Sequence, residues 1–452
     1  MIVRAMCFES QRGITMDRRN LSRNLLAVAV GVSGCSGSGS STLAALQTSG
    51  QSESTTAPYF AITAAETYAK VPASSIDTSI PPYRADRYGF SNAPGASGTD
   101  NAIALRHAVA AATAAGARLK IPGSVSTTAG VPVSLPVSSM DRGVPYPYVA
   151  SAVLELTCDV EGDGAMNTVI SCSGGSGGPG NYFAYFRLVD HSEIRDLEIS
   201  NAGSISDGTI GLHLSNSSQL ETQAGPLYAK GNMRVTRVRI KKFATNIQAE
   251  RSYLVTFDQV ESLLGGYGFY CQPDVTAPGD SASAFVTTHL HLNCFYSQNA
   301  INIFYQTPIA SYCVTFVNGA SQNATAAYQE NGASFSNYFA DLSNVHFIDW
   351  YTENQPAAIV ITGGGTATFD GLWLGVTGGI YLGAGVWARF VNVRSASSAG
   401  SKTDNLVVAA GGRQYVTMDG CIWPNTTPLS QIDHCVVMKT EINGVYTAFS
   451  AT

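Results

Sequence analysis

The densest acidic and aromatic stretch of this 452-residue sequence is Asp349-Trp350-Tyr351-Thr352-Glu353-Asn354, and Asp370 follows it closely. Two carboxylic acids facing a glycosidic bond can cleave it when one is kept protonated as the acid. The other must stay ionised as nucleophile or base. Asp349 and Glu353 lead as that pair, with Asp370 third. Trp350 and Tyr351 offer flat faces on which a sugar ring could stack. Asp258 and Glu261 form a second, smaller acidic set. His289 and His291 stand at i and i+2, on one side of any strand, where they can contact a ligand. A histidine pair without a third ligand does not make a metal site, so no metal is expected. Arg237, Arg239 and Lys241 form a basic stripe of the kind elimination chemistry would use. Each of these has a plain structural alternative: Glu353-Asn354 as a turn, Asp370 as the residue leading into a strand, the histidines as a solvated pair.

The elements that must position these groups repeat. From about residue 183 the chain shows an apolar-any-apolar triplet, followed eight or nine residues later by a second apolar strand. Val238-Arg239-Ile240 precedes Ile247, Val260 precedes Phe269, Leu290-His291-Leu292 precedes Ile301-Asn302-Ile303, and Leu372-Trp373-Leu374 precedes Ile380-Tyr381-Leu382. Further repeats start near Leu197, Phe316, Val345, Val391 and Cys421. The interval is roughly 20–30 residues, a solenoid period. Asp196, Asp258, Asn344, Asp370 and Asp419 stand before such triplets, where Asp and Asn suit a turn. A propeller would show longer, blade-sized repeats with hairpin turns. The spacing therefore predicts an all-β, single-stranded parallel β-helix of about 9–11 rungs. Rungs lie about 4.8 Å apart. Outward carboxylates on adjacent rungs then approach the separation of a retaining glycosidase, and two rungs apart that of an inverting one.

The stretch 83–123 reads as the cap of that solenoid. It holds Asp86-Arg87-Tyr88-Gly89, then Gly98-Thr99-Asp100-Asn101, then an Ala-rich run to Ala115 and Gly116, then Arg118-Leu119-Lys120-Ile121-Pro122-Gly123. Thr99 or Asp100 suits the N-cap, Leu105, Val109 and Ala112 share one helical face, and Gly116 stops the helix. An end rung left bare exposes apolar core and strand edges, so solenoids need such caps. This succession resembles the N-terminal segment of the pectate-lyase-like superfamily, which includes polygalacturonase-like enzymes and phage tailspikes; Ala61-Ile62-Thr63-Ala64-Ala65-Glu66 is similar to leaders that precede it. The resemblance implies a right-handed parallel β-helix with an N-terminal capping helix and a polysaccharide substrate. It implies calcium only if the reaction is a lyase's. Arg239-Ile240-Lys241 is similar to a polygalacturonase triplet, but the Asn-Thr-Asp and Gly-His-Gly motifs that accompany it are absent.

Ahead of the cap, Arg18-Arg19 precedes the apolar run Leu25–Val32 and the small-residue stretch Val32-Ser33-Gly34-Cys35. Residues 1–35 thus read as an export signal of twin-arginine and lipoprotein type, with Met16 a candidate start and Cys35 the lipidated residue. Residues 36–82 read as a flexible linker and leader, and 124–452 as the β-helix. The apolar run is too short to span a bilayer, so membrane contact would come through a lipid on Cys35. Charged residues make up 13% of the chain and the net charge is −6, which gives no reason to expect nucleic acid. Most of the nine cysteines read as small buried hydrophobes. Cys158 and Cys172 could pair, and Cys271, Cys294 and Cys313 could stack in successive rungs. The expectation is an exported monomer, periplasmic, lipid-anchored or secreted. It would cleave an extracellular or cell-wall polysaccharide, by hydrolysis or, as the near variant, by β-elimination. Rival readings are a non-catalytic glycan-binding β-helix and a tailspike-like depolymerase.

Overall fold

In the computed structural model, apolar residues from successive repeats fall into register. One inward ladder runs Leu119, Val160, Ile194, Val235, Phe257, Leu292, Phe316, Phe347, Phe369, Phe390, Met418, Val437, each residue paired in parallel with the next. Phe316, Phe347, Phe369 and Phe390 stack ring on ring, with centroids 4.8, 5.4 and 4.9 Å apart. Every member from Leu119 to Val437 is buried, and each such side chain contributes about 1.5–3 kcal/mol. The structure describes residues 58–451, except 94–95, 124–132, 137–150, 174–182, 190, 206–207, 215–229, 250–251, 272–287, 312, 325–327, 331–332, 343, 354–358, 376–378, 396–405, 409–413, 425 and 427–431. Arg18, Arg19, Cys35 and the linker to residue 57 lie outside the described residues. No described helix is long and apolar enough to cross a membrane.

Each rung has three faces. The first face carries the ladder just named. The second is made of short strands such as Glu261–Leu263, Tyr296–Gln298, Ala320–Gln322, Tyr351–Glu353 and Trp373–Leu374. The third is a ten-stranded parallel sheet that includes Phe183–Leu188, Thr209–Leu214, Thr245–Ala249 and Tyr267–Cys271. Parallel strands joined by crossovers of one sense give a right-handed parallel β-helix.

Two corners shape the rung. First and second faces meet at one residue in the left-handed region: Asp196, Arg237, Gln259, Cys294, Asn318, Asp349, Gly371, Asn392, Gly420 and Lys439. From Gln259 to Gly420 the amide of each corner bonds the next rung, as when Asn318 N donates to Ile348 O at 3.0 Å and Asp349 N to Asp370 O at 2.8 Å. Asp258, Asp370 and Asp419 precede this corner, at the end of a first-face strand, whereas Asn344 begins one. The second corner, leading to the third face, is held by buried amides: Asn246 Nδ2 donates to Asn299 Oδ1 at 2.8 Å, and Asn299 Nδ2 to Ser262 O at 2.8 Å.

The N-terminal cap is built as expected, with two corrections. Helix α1 spans Ala64–Tyr68 and helix α2 Gly98–Ala115. The N-cap of α2 is Ser97, not Thr99 or Asp100, because Ser97 is extended and its Oγ reaches the Asp100 amide at 3.3 Å. Leu105, Val109 and Ala112 are buried, and Gly116 closes the helix at φ 62°. Residues 58–82 are not a flexible linker, since they fold onto the cap through a buried ion pair. Arg87 Nε lies 2.6 Å from Glu66 Oε1, and both side chains are fully buried. Arg87 also donates to the carbonyls of Asp77 and Ala61, and the Tyr88 hydroxyl to Glu66 at 3.0 Å. At the other end, His434–Ile442 and Val445–Ala451 form an antiparallel hairpin through Asn443 and Gly444, both at positive φ.

The cysteines do not stack. Cys271 is on the third face, Cys294 sits at the first corner, and Cys313 precedes a first-face strand. Cys158 and Cys172 are both buried thiols rather than a disulfide.

Glu66 supplies a test of the cap. Burial, the largest influence, raises its pKa, but bonds from Arg87, Thr63 and Tyr88 bring it from 4.5 down to about 2. Its contribution is therefore present above pH 4.5 and lost as pH falls toward 2. Glu66→Gln strands the Arg87 charge and should cost about 3–5 kcal/mol at neutral pH. Urea unfolding of the variant should depend less on pH between 4.5 and 2 than that of the parent; equal slopes would exclude the pair as the acid-sensitive element.

Candidate functional site

The acidic stretch straddles the first corner. Asp349 is the corner residue, at φ 50° and exposed. Its carboxylate leans over the next rung: a Cβ on Gly371 would come within 2.4 Å of Asp349 Oδ1. Asp370 pairs in register with Ile348, so Asp349 and Asp370 stand on adjacent rungs, as expected. Glu353 lies on the second face, outward with Tyr351, and accepts the Tyr351 hydroxyl bond. Burial, and then that bond, push the Tyr351 phenol pKa up. Asp349 at the corner and Glu353 at the end of the second-face strand are separated by about 13 Å at Cα.

Trp350 is not a stacking face. It is 1% exposed and packs inward against Phe316 and Phe347, and a side chain on Gly319 would collide with its ring. Corner geometry explains this: with Asp349 at the bend, the next side chain enters the core. The second face instead exposes Trp373, 53% accessible and 6.1 Å from Tyr351.

Of the other expected residues, Glu261 is ion-paired with Arg239, and Asp258 Oδ1 accepts from Asn293 Nδ2 at 2.7 Å. Arg237 pairs with Asp196 at 2.6 Å and Lys241 with Glu198 at 2.7 Å. The residues expected as a basic stripe are thus neutralised by carboxylates on neighbouring strands. His291 is exposed on the first face, between the inward Leu290 and Leu292. His289 is in the same strand, and its side chain lies outside the described residues. No group of three or more His, Cys, Asp or Glu suited to a metal occurs among the described residues.

A second row of chemistry was not anticipated. On the third face, Glu155, Arg187, His213, Gln248, Tyr270, Phe304 and Tyr338 occupy one in-register column. Their strand neighbours on either side, such as Phe186 and Leu188, Leu212 and Leu214, or Ile247 and Ala249, belong to the core. Alternation therefore turns this column outward. Phe304, Tyr338 and Val360 form an apolar cluster separate from the core, with Tyr267, Tyr270 and Tyr381 packed on it. Arg187, His213 and Gln248 are nonetheless 2%, 0% and 3% exposed. A cation, an imidazole and an amide on successive rungs, about 4.8 Å apart and withdrawn from water, can hold an anion and move a proton. Arg187, His213 and Gln248 are far apart in sequence, and only their strand patterns hinted at a shared face.

No protein-family profile and no curated protein matches this chain. Among solved structures, it is similar to the A-module of the mannuronan C-5 epimerase AlgE4 of Azotobacter vinelandii. Identity is 12% and the TM-score 0.47, over 80% of this chain and 95% of the module. It is similar also to the Acinetobacter phage vB_ApiP_P1 tailspike, at 11% identity and TM-score 0.43, over 85% of this chain and 64% of the tailspike. ORF18 of Geobacillus virus E2 gives 10% and 0.44, over 82% of this chain and 63% of that protein. The chain has a right-handed parallel β-helix fold. That statement rests on the ladders and corners themselves.

The corner geometry predicts a split at Asp349. Asp349→Asn, which tolerates the left-handed region, should leave the thermal midpoint nearly unchanged, whereas Asp349→Ala should cost about 1 kcal/mol. Gly371→Ala should cost more than either, having a positive φ and a carboxylate in the way. Equal midpoints for all three variants would remove the structural role assigned to this corner.

Proposed function

We propose that this chain is an exported enzyme that cleaves an acidic polysaccharide by β-elimination on the outer side of its third face. The observation that carries this reading is the column Arg187–His213–Gln248, outward by register yet withdrawn from solvent. Arg187 and Gln248, one rung to either side of His213, hold the carboxylate of a uronate residue. The imidazole of His213 takes the C5 proton, the C4–C5 double bond forms, and the C4–O bond breaks. Tyr270, next after Gln248 in the column, gives a proton to the departing oxygen. A charged substrate carboxylate meeting Arg187 in a dry site is what acidifies that proton. The apolar cluster beyond, with Tyr267 and Tyr270, supplies surfaces for neighbouring sugars. Export follows from the signal-like N-terminus read in the sequence.

The carboxylate-pair alternative, hydrolysis by Asp349 and Asp370 with Glu353 beside them, is supported by the adjacent-rung placement of the two aspartates. The two readings part on the product. Purified protein should release products with the ultraviolet absorbance of an unsaturated uronate, and His213→Gln should lower that rate about 100- to 10,000-fold with an unchanged thermal midpoint. New reducing ends without absorbance would overturn elimination and direct attention to Asp349→Asn and Asp370→Asn. Binding without either product would make the protein a glycan-binding module.

A further inference from the structure

The first face carries an aromatic stack near its C-terminal end that the proposed reaction does not use. Thr366, Trp387, Tyr415 and His434 are in-register partners on successive rungs, and Asn344 pairs with Thr366 on the rung before. Tyr415 and His434 stack with centroids 4.5 Å apart and planes 13° apart, and Tyr415 lies 4.3 Å from Trp387. The stack thus ends at Trp387, which is 52% exposed although its strand neighbours Val386 and Ala388 are buried. Beyond it the column changes to small polar side chains: the Thr366 hydroxyl donates to Asn344 Oδ1. Two rungs of small residues leave a notch about 10 Å high, floored by Thr366 and Asn344. Trp387 is its end wall.

Arg389 lies two residues along the same strand, on the same outward side, and pairs with Thr368. It is exposed and has no ion-pair partner among the described residues. The arginines of the early rungs, Arg195, Arg237 and Arg239, are by contrast all ion-paired. Trp387 and Arg389 are therefore about 7 Å apart at Cα, a gap that the long Arg389 side chain can close toward the carboxylate of a ring lying on the indole.

We propose that Trp387, Thr366, Asn344 and Arg389 form a glycan-holding subsite, separate from the third face, that takes an acidic pyranose. The ring stacks on Trp387, hydroxyls meet Thr366 and Asn344, and Arg389 pairs with the carboxylate. The choice of an acidic sugar agrees with, and in that respect rests on, the reading of the third face; binding at Trp387 does not require cleavage.

The chain has four tryptophans, of which Trp350 and Trp423 are buried. In a Trp373→Phe background, Trp387 is the one exposed indole, so its emission reports the notch. Titration with polygalacturonate and with alginate, using laminarin as the neutral probe, should shift that emission with at least one anionic polymer. Arg389→Ala should weaken the response about tenfold, and laminarin should bind at least that much more weakly. Trp387→Ala should weaken retardation of the protein in gels that contain the polymer. An unchanged emission with both anionic polymers, or unchanged retardation of Trp387→Ala, would overturn the subsite. A shift without unsaturated product would keep the subsite and remove the elimination reading.

Discussion

A single residue in the left-handed region turns each rung from its first face to its second. Asp196, Arg237, Gln259, Cys294, Asn318, Asp349, Gly371, Asn392, Gly420 and Lys439 repeat that bend level after level. The bend costs about 1–2 kcal/mol for a residue with a Cβ. It is sustained where, from Gln259 to Gly420, each corner amide is bonded to the next rung. Everything outside the core inherits its direction from this corner. It sends Trp350 inward, Tyr351 and Glu353 outward, and sets the register that lines up the phenylalanine stack.

In-register stacking has a consequence for chemistry. Side chains distant in sequence are brought to about 4.8 Å intervals along straight columns. The columns of the early rungs are filled by compensating charges: Glu198 with Arg239 and Lys241, Asp196 with Arg237, and Glu161 with Arg195. Later columns carry aromatic rings, and there Trp373, Trp387 and Arg389 stand open to solvent. The third face differs from both, carrying a cation, an imidazole and an amide beside an apolar cluster, all withdrawn from water. Electrostatic interactions are stronger in such a setting than on an open face.

Both ends of the solenoid are closed by different means. At the N-terminus, α2 covers the first rung and the buried Glu66–Arg87 pair ties the leader to it. At the C-terminus an antiparallel strand pairs with the last parallel one. The first closure was legible in the run from Gly98 to Gly116. The second was carried only by the pair Asn443-Gly444, a strong hairpin signal that stood outside the repeat pattern.

By itself the sequence determined the repeat, the cap and the fold class, because these depend on periodic hydrophobicity and local propensity. Leu290-His291-Leu292 announces an inward-outward-inward strand wherever it lies. It also placed Asp370 one rung beyond the Asp349 stretch. Tertiary structure alone decided which outward residues meet. Trp350 looked like a binding face because its neighbours are polar, yet a left-handed bend at Asp349 buries it. Arg187, His213 and Gln248 looked unrelated because a full turn of chain separates each from the next. Their convergence depends on register between distant strands, and register is a property of the stacked rungs rather than of any one of them.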